Sequence, residues 1–263
     1  MIDLTVPEIR AKLQTADAAE FAVLERSLVA DTRKGVRQAV EVARRRLAAE
    51  AAEAERLAGM YGFEQGIAAE RGASVILGLD EVGRGPLAGP LAVGGVVLDA
   101  ADPIAGLNDS KQVAPEDREA IAAAVRERAV AWTVQYIQPE DIDRLGMTAA
   151  LTQAFRAAIA AIEEAGVHPD VVLLDGNPLH LDEREVNVVK GDGKCASIAA
   201  ASLVAKAARD NLMVEYDALY PGYGLASNKG YGSEGHMQAI REKGLTPIHR
   251  KSFCSFANQE TLF

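Results

Sequence analysis

The chain has 263 residues, of which 49% are apolar, with 38 acidic and 28 basic side chains, two cysteines and four histidines. This composition is typical of a globular protein and excludes a disordered, collagen-like or disulfide-stapled chain. Cys195 and Cys254 are too few for a disulfide scaffold, and no CxxC or HxxxH spacing indicates a zinc site. The length predicts one main core with room for an appendage.

The first residues, MIDLTVPEIRAKL, carry early acids and no uninterrupted apolar run, so no secretory signal is expected. No stretch reaches the ~20 apolar residues of a membrane span, so we expect a cytoplasmic protein without a membrane partner. The net charge of −10 argues against a protein that coats nucleic acid non-specifically, because such binding depends on neutralising phosphates. An enzyme that binds nucleic acid locally remains compatible with this charge.

Residues 1–72 are predicted to form a helical N-terminal extension. They hold 12 acids and 11 bases, and residues 37–71 are rich in Ala, Glu and Arg, a composition that favours helix. Pro7 suits the first turn of a helix, and Asp31 and Thr32 are candidate caps for a longer one. Glycines that mark its predicted end are Gly59, Gly62, Gly66 and Gly72.

Residues 73–263 form the predicted main domain and hold 26 acids against 17 bases, so nearly all of the negative charge belongs to this domain. Short apolar runs alternate with segments of helical periodicity, which predicts an α/β fold with a mixed sheet flanked by helices. The predicted strands are 75–80, 91–98, 132–137, 171–174 and 185–189. The predicted helices are 115–128, 148–165 and 197–220.

Acidic residues follow the apolar strands of this domain. Asp80 and Glu81 end the first strand, Asp175 follows a later one, and Asp192 comes just before the long helix. Sites in open α/β sheets lie at the carboxyl ends of strands, so these acids are expected to converge, although an acidic pair alone is equally read as a solvated turn. Consecutive strand residues face opposite sides, so Asp80 and Glu81 share a site only where the strand ends or bulges, which Gly83 favours.

Four converging carboxylates repel one another unless a hard cation neutralises them, and all-oxygen ligands select Mg²⁺ or Mn²⁺. Two such ions roughly 4 Å apart suit in-line phosphoryl transfer, in which one activates water and the other stabilises the leaving oxygen. The pattern therefore predicts hydrolysis of a phosphodiester.

Two further segments are candidate substrate contacts. The turn Gly83-Arg84-Gly85 has neither Walker nor Rossmann spacing, and it is either a simple tight turn or a close backbone approach to a sugar hydroxyl. Residues 220–253 are locally basic, with aromatic side chains among the lysines and arginines. Such a region binds phosphates and stacks on a base or ribose, and an ordinary basic loop with an amphipathic helix is the other interpretation.

The chain resembles bacterial ribonuclease HII, the type 2 ribonuclease H family, over residues 75–253. The matching runs, in the order of the family, are GLDEVGRGP (78–86), LNDSK (107–111), LDGN (174–177), KGD (190–192), SIAAAS (197–202), AK (205–206), RD (209–210), KGY (229–231) and HRKSF (249–253). The N-terminal region resembles the extension of some bacterial members. The resemblance implies a ribonuclease H-like fold and endonucleolytic cutting of RNA in RNA–DNA hybrids, including single ribonucleotides embedded in duplex DNA.

The resemblance also implies roles for individual residues. The catalytic, metal-binding carboxylates for Mg²⁺ or Mn²⁺ are Asp80, Glu81, Asp175 and Asp192. The family's sugar-reading turn falls on residues 83–85, and its ribonucleotide-side tyrosine falls on Tyr231, followed here by Gly232-Ser233 where members often have Pro-Thr or Gly-Thr. The candidate substrate-binding residues are Gly83, Arg84, Gly85, Lys111, Lys229, Tyr231, Arg250 and Ser252.

Five other residues are expected to have structural roles. His236 and His249 are predicted as phosphate-side or structural groups, because a two-metal site needs no general base. Asp210, beside Arg209 late on a helix, is expected to form a structural ion pair and not to bind metal. Both cysteines are expected to pack in the interior rather than react.

The chain ends on NQETLF, which resembles the short peptides by which bacterial replication and repair proteins dock on the sliding clamp. In one interpretation Gln259 occupies a polar notch of the clamp while Leu262 and Phe263 fill an apolar pocket. In the other, the two apolar residues pack on the protein's own surface. We expect the protein itself to be a monomer.

Two alternatives to a ribonuclease remain at this point. One is a catalytically silent protein that binds hybrids, although a protein without chemistry has no need to hold four mutually repelling acids. The other is a different nuclease or a transposase-like enzyme, because one fold supports several functions.

Overall fold

The computed structural model describes residues 4–181 and 183–258. The chain divides into two compact units, Met1–Ala58 and Gly59–Phe263, and the division falls inside one long helix. The boundary near residue 72 stays a prediction, since it lies just beyond the end of that helix and not at this division. Among the described residues, no helix is long and apolar enough to cross a membrane.

The N-terminal unit consists of α1 (Val6–Thr15), α2 (Ala18–Leu28) and the first part of α3 (Lys34–Glu70). α1 and α2 each begin with a capping box, in which two side chains satisfy free N–H groups of the first turn. The unit encloses a small core of Ile9, Leu13, Ala16, Phe21, Leu28, Val36, Ala39 and Ala43.

α3 ends at Glu70, close to the predicted end near Gly72, and it continues through Gly59, Gly62 and Gly66 without a break. Each glycine costs about 1 kcal/mol relative to alanine in a helix interior. Burial of the last turns offsets this cost, since Glu64 and Ala68 are both buried. The end of α3 is therefore part of the second unit and not only a connection to it.

The second unit is built on a five-stranded mixed sheet, as predicted. Its strands are β1 (Ile76–Val82), β2 (Leu91–Val97), β3 (Ala131–Ile137), β4 (Val171–Asp175) and β5 (Glu185–Val188), in the spatial order β3-β2-β1-β4-β5. β1 pairs antiparallel with β2 and parallel with β4, so the two strands that carry predicted site acids are neighbours.

Three predicted helices of this unit are present within two residues of their expected bounds: α4 (Pro115–Arg128), α6 (Met147–Glu164) and α7 (Ala196–Leu219). Three shorter ones were not predicted individually: α5 (Pro139–Leu145), α8 (Leu225–Asn228) and α9 (Glu234–Lys243). Single 3₁₀ turns are formed by Gly191–Gly193, Lys251–Phe253 and Ser255–Asn258.

Helices α6 and α7 cover the sheet. Leu151, Phe155 and Ile159 of α6 pack against Leu77 and Leu79 of β1 in the largest apolar cluster described. The backbone of α7 lies close to β1 at Gly78, the position between Leu77 and Leu79. A Cβ added at Gly78 would lie 2.2 Å from the carbonyl carbon of Ser197, so glycine is required for this approach. The close approach brings α7 beside the acidic end of β1.

Candidate active site

Asp80 and Glu81 lie inside β1, where they pair with Gly94 and Val93 in unbroken antiparallel register. The bulge that the sequence allows at this point is therefore absent. Asp80 interacts with the Ser202 hydroxyl of α7, whereas Glu81 lines a cavity of about 340 Å³ that also includes α6 residues. Asp175 also lines this cavity, and its charge acts on both Asp80 and Glu81.

Asp175 and Asp192 are joined through the backbone. The Asp175 carboxylate accepts the N–H of Gly191 at 2.7 Å, and Asp192 is the next residue, in the 3₁₀ turn before α7. The Nζ atom of Lys111 lies 4.0 Å from Oδ2 of Asp192. This connection brings the segment after β5, the end of β4 and the 107–111 motif to the same edge of the sheet.

Burial and mutual repulsion raise the pKa of three of the four carboxyls. For Asp80 the pKa rises well above its ordinary value because of burial, then because of the nearby charges of Glu81 and Asp175. Burial also raises the pKa of Glu81, although Arg84 lowers it in part, and repulsion from Asp175 makes a smaller contribution to the rise. The pKa of Asp192 is raised by burial and by Asp175. The positive charges of Arg84 and Lys111 therefore do not cancel the effects of burial and repulsion on Glu81 and Asp192.

The four carboxylates fit a hard divalent cation by their chemistry, because they offer only oxygen donors and their repulsion favours a positive charge. Within the described ranges, no three His, Cys, Asp or Glu side chains are already gathered as a metal cluster. The acids are therefore neighbours at one edge of the sheet and not a closed ligand shell.

The predicted glycine turn follows directly from β1. Gly83 has φ +91°, and a Cβ there would lie 2.4 Å from Nε of Arg209, so the position requires glycine. The side chain of Arg84 is bonded to Glu81, with Nη1 3.2 Å from Oε1. A Cβ at Gly85 would meet no atom within 4 Å, which leaves this part of the backbone open to a ligand.

Arg250 does not have the position expected of a phosphate-binding residue. Its guanidinium is fully buried and donates to the carbonyl oxygens of Gly83, Arg84 and Gly89 at 2.6–3.0 Å. Burial, with the charge of Arg209, lowers its pKa to about 9. The prediction of direct substrate binding is corrected accordingly, because the donors of Arg250 hold the glycine turn in place.

Arg209 has a similar role beside it. This buried side chain donates to the carbonyl oxygens of Pro90, Ala88 and Lys229 at 2.9–3.1 Å. The predicted structural ion pair of Asp210 is present, and its partner is Lys206, one helical turn earlier, at 2.6 Å. Arg209 points from α7 toward the loops, whereas the i,i+4 spacing keeps Asp210 on the same side of the helix as Lys206.

Tyr231 lies next to the glycine turn. The N–H of Leu87 donates to the carbonyl of Gly230 at 2.8 Å, which joins the two segments. Lys229 has a left-handed backbone, with φ 52°, and accepts from Arg209. The Tyr231 side chain is 45% exposed. The loop that carries Tyr231 is thus bonded to the segment after the glycine turn, and that turn comes directly after Asp80 and Glu81.

Ser252 has its hydrogen-bonding groups occupied within the protein. Its N–H and its hydroxyl both donate to the carboxylate of Asp143, which also accepts the N–H of Lys251. The last predicted group, Gln259, Leu262 and Phe263, lies outside the described residues.

Sequence reasoning assigned no role to two serines near the acids. The Ser202 hydroxyl, which interacts with Asp80, is hydrogen-bonded to the hydroxyl of Ser110 at 2.9 Å. Both serines lie in runs that match the family, but the sequence alone does not show which groups they contact. Asp143 gave no sequence signal, because it lies in a short helix outside every motif.

Both cysteines are free and buried. Burial raises the pKa of Cys195 to about 12 and that of Cys254 to about 11. The thiolate is the reactive form, so the structural roles predicted for both residues agree with their surroundings.

Family models match both parts of the chain. The model described as Ribonuclease HII matches residues 77–256, and the model described as Ribonuclease HII N-terminal domain matches residues 5–68. Ribonuclease HII of Listeria monocytogenes serotype 4b (strain F2365) is 39% identical over 249 residues, or 95% of this chain and 94% of the relative. Ribonuclease HII of Limosilactobacillus reuteri (strain DSM 20016) shows 39% identity over 95% of both chains.

Solved structures share the fold at lower identity. Ribonuclease H2 from Pyrococcus horikoshii OT3 superposes with a TM-score of 0.59 at 23% identity, covering 71% of this chain and 100% of the other. A PCNA:RNase HII complex from Archaeoglobus fulgidus gives 0.58 at 24% identity, over 67% and 94% of the chains. Bst-RNase HIII in complex with Mn²⁺ gives 0.54 at 23% identity, over 71% of each chain.

Proposed function

This chain belongs to the ribonuclease HII family, and we propose that it cuts the RNA strand of RNA–DNA hybrids and cuts duplex DNA at single embedded ribonucleotides. The observation that carries this proposal is the position of Tyr231 and the glycine turn beside four acidic residues. A site for hydrolysis and a site for contact with one sugar thus lie together. The relatives are ribonucleases, so a silent hybrid-binding protein is the weaker alternative.

A divalent metal site is part of the proposal. Asp80, Glu81, Asp175 and Asp192 would hold Mg²⁺ or Mn²⁺, and the Mn²⁺ complex of the structurally similar Bst-RNase HIII supports this class of ion. When bound as a pair, such ions supply activation of the attacking water and stabilisation of the leaving oxygen. The protein contributes the negative charge and the fixed ends of β1 and β4.

The chain's own residues orient the substrate. The backbone at Gly85 is open and accepts or donates hydrogen bonds to a 2′-hydroxyl, which DNA lacks. Tyr231 covers the same sugar with its ring. Lys111, whose Nζ lies 4.0 Å from Asp192, and Lys229, whose Nζ donates to the carbonyl of Asp210, would offer positive charge to the backbone phosphates.

The proposal is tested with a labelled duplex that contains one internal ribonucleotide. We expect cleavage at that nucleotide with Mg²⁺ or Mn²⁺, no cleavage in EDTA, and no cleavage of the matched all-DNA duplex. A parallel assay on a continuous hybrid shows whether both substrate classes are used. Metal-independent cutting, or equal cutting of the all-DNA duplex, would refute the proposal.

We also propose that the C-terminal segment docks on a sliding clamp. The support is the sequence pattern at Gln259, Leu262 and Phe263, together with the solved complex of an archaeal ribonuclease HII with PCNA. Deletion of residues 259–263 should abolish clamp pull-down while the melting temperature and hybrid cleavage stay unchanged. A clear fall in melting temperature would favour packing of this segment on the protein itself.

The remaining proposals concern the state of the protein. We propose that it acts as a monomer in a reducing cytoplasm, where two free buried thiols need no protection from oxidation. Light scattering at micromolar concentration tests the monomer, and a dimer mass would contradict it.

A further inference from the structure

Two buried histidines lie beneath the loop that carries Tyr231. His236 belongs to α9 and is 1% exposed, and His249 precedes Arg250 and is 2% exposed. Their Nε2 atoms are 3.1 Å apart, within hydrogen-bonding distance. The ring of Tyr223 packs against His249, with 5.1 Å between the ring centroids. The proposed reaction uses neither histidine directly, so their contacts require another explanation.

The partners of the rings determine where each proton lies. The N–H of Thr246 donates to Nδ1 of His249 at 3.0 Å, so this nitrogen carries no proton. A neutral His249 therefore has its proton on Nε2 and donates it to Nε2 of His236. The remaining proton of His236 is then on Nδ1, which donates to the carbonyl oxygen of Tyr231 at 2.8 Å.

These contacts form one directed chain of hydrogen bonds, from Thr246 through His249 and His236 to Tyr231. Every link requires a neutral ring. A proton added to Nε2 of His236 would face the Nε2–H of His249, and a proton added to Nδ1 of His249 would face the N–H of Thr246. Burial lowers the pKa of both histidines, and the pKa of His249 falls to about 4. The chain is therefore intact at neutral pH.

The same carbonyl also anchors α9. The oxygen of Tyr231 accepts the N–H of Ser233 at 2.8 Å in addition to the bond from His236. Ser233 in turn caps the helix, with its hydroxyl accepting the N–H of His236. The backbone of Tyr231 is thus fixed from below, whereas its ring extends toward solvent.

We propose that His236 and His249 are positioning residues, which fix the backbone of Tyr231 so that its ring is held against the sugar of the ribonucleotide. The inference rests on the proposed function, because it takes Tyr231 as the sugar contact. The histidines act through Tyr231 and transfer no proton to or from the substrate. Their effect is on orientation, for which a displacement of about 1 Å costs up to a hundredfold in rate.

The hydrogen-bond chain is tested first without substrate. In ¹⁵N NMR spectra of the full chain at pH 7, we expect His236 protonated at Nδ1 and His249 protonated at Nε2, both neutral. The exposed His168 supplies the reference signal of a solvated ring. Reversed tautomers, or an imidazolium at either buried position, would overturn the proposal. This measurement does not depend on the activity of the enzyme.

The positioning role is tested by a pair of substitutions at His236. His236→Asn keeps a donor near the Tyr231 carbonyl, whereas His236→Gln moves the amide toward His249 and removes that donor. We expect His236→Gln to lower kcat on the single-ribonucleotide duplex about tenfold with little change in KM, and His236→Asn to keep most of the activity. His168→Gln is the control and should match the unmodified protein.

A double-mutant cycle with Tyr231→Ala separates positioning from general stability. If His236 acts through Tyr231, His236→Gln should cause no further loss once the tyrosine ring is absent. If His236→Gln fails to fold, His249→Asn replaces it, because this change keeps an acceptor for Thr246 and removes the donor to His236.

The outcomes of the cycle are distinguishable. Equal losses from the histidine substitution in both backgrounds would overturn the positioning role while leaving the proposed function intact. A Tyr231→Ala variant that cleaves like the unmodified protein would contradict the sugar contact, and the positioning role would fail with it. In that case, the tautomers measured by NMR still show whether the hydrogen-bond chain between Thr246 and Tyr231 is formed.

Discussion

At the residue scale, the acidic side chains are held in a way that is unfavourable for the protein alone. Asp80 is 7% exposed, and its raised pKa reflects burial before it reflects the charges of Glu81 and Asp175. Holding four acids at one edge of the sheet without a cation costs folding free energy. Such a cost is expected where residues serve function and not stability.

Asp80→Asn should therefore remove activity without removing stability. The same loss of activity is expected for Asp175→Asn, since each change takes a charged ligand from the metal site. We expect less than about a tenth of the cleavage rate in Mg²⁺ and a melting temperature in EDTA that is unchanged or slightly raised for Asp80→Asn. Asp141→Asn, at an exposed position of α5, is the matched control. Retained cleavage in either site variant would contradict the ligand roles.

Arg250 shows why some residue roles could not be predicted from the sequence. A basic residue in a matching motif gives the same signal whether it faces a phosphate or the carbonyls of a turn. Only the tertiary structure shows that its donors are used by Gly83, Arg84 and Gly89. The shared edge of the acids was easier to predict, because Asp80, Glu81 and Asp175 lie near the ends of the neighbouring strands β1 and β4.

At the element scale, α3 contributes directly to the position of α7. The carboxylate of Glu64 accepts the N–H of Ser197 at 2.9 Å and its hydroxyl at 2.7 Å, in the first turn of α7. Cys195, at the start of this helix, makes no capping hydrogen bond with its side chain. A side chain 133 residues away in sequence thus caps the helix that carries Ser202 and Arg209.

Substitution of Glu64 should reveal this cap. Glu64→Ala leaves two buried donors of Ser197 without an acceptor, so we expect a loss of about 1–3 kcal/mol in the free energy of unfolding. Chemical denaturation measures this loss, with the exposed Glu70→Ala as the control. An unchanged midpoint would show that the cap contributes nothing to stability.

The cap also has a predictable pH dependence. Burial raises the pKa of Glu64 above its ordinary 4.5, so the folded protein binds a proton here more readily than the unfolded chain. Stability from this group is then present below pH 4.5 and is lost as pH rises through the raised pKa. Relative to the unmodified protein, Glu64→Gln should gain stability between pH 4.5 and 8. If the stability difference between Glu64→Gln and the unmodified protein stays constant or falls over this range, the raised pKa of Glu64 is contradicted.

The elements themselves were predictable where the sequence pattern is long. Five strands and the helices α4, α6 and α7 follow from apolar periodicity, proline starts and glycine ends. α5 and α8 are too short to show a period, since they have seven and four residues. In α3, Gly59, Gly62 and Gly66 lie within the helix and do not end it, because buried neighbours such as Ala68 hold the helix, which local composition does not show.

At the scale of the whole molecule, each of the two units has its own buried contacts. The first, Met1–Ala58, has its own small core. The second includes the last turns of α3, in which Tyr61 accepts the N–H of Ile104 at 3.2 Å and Glu64 caps α7. A boundary at residue 58 therefore keeps these contacts within the second unit, whereas a boundary at residue 72 separates Tyr61 and Glu64 from it.

Two truncations should distinguish these divisions. A chain of residues 59–263 is expected to fold and to keep its cleavage rate on a short hybrid within about threefold, because the proposed site lies wholly within it. A chain of residues 73–263 lacks Tyr61, Glu64 and Ala68 and should melt about 10 °C lower, as several kcal/mol of burial and hydrogen bonding are lost. Equal melting temperatures for the two chains would place the boundary at residue 72.

One edge of the sheet is proposed to combine the acids with contacts to a single ribose. Tyr231→Ala tests this claim most directly when two quantities are measured together: the cleavage rate at a single ribonucleotide and the Kd for the all-DNA duplex. Tyr231→Phe, which keeps the ring, is the control. We expect Tyr231→Ala to lower cleavage about a hundredfold and to change the Kd less than about threefold. Equal losses in both quantities would reduce Tyr231 to a general nucleic-acid contact and contradict the claim.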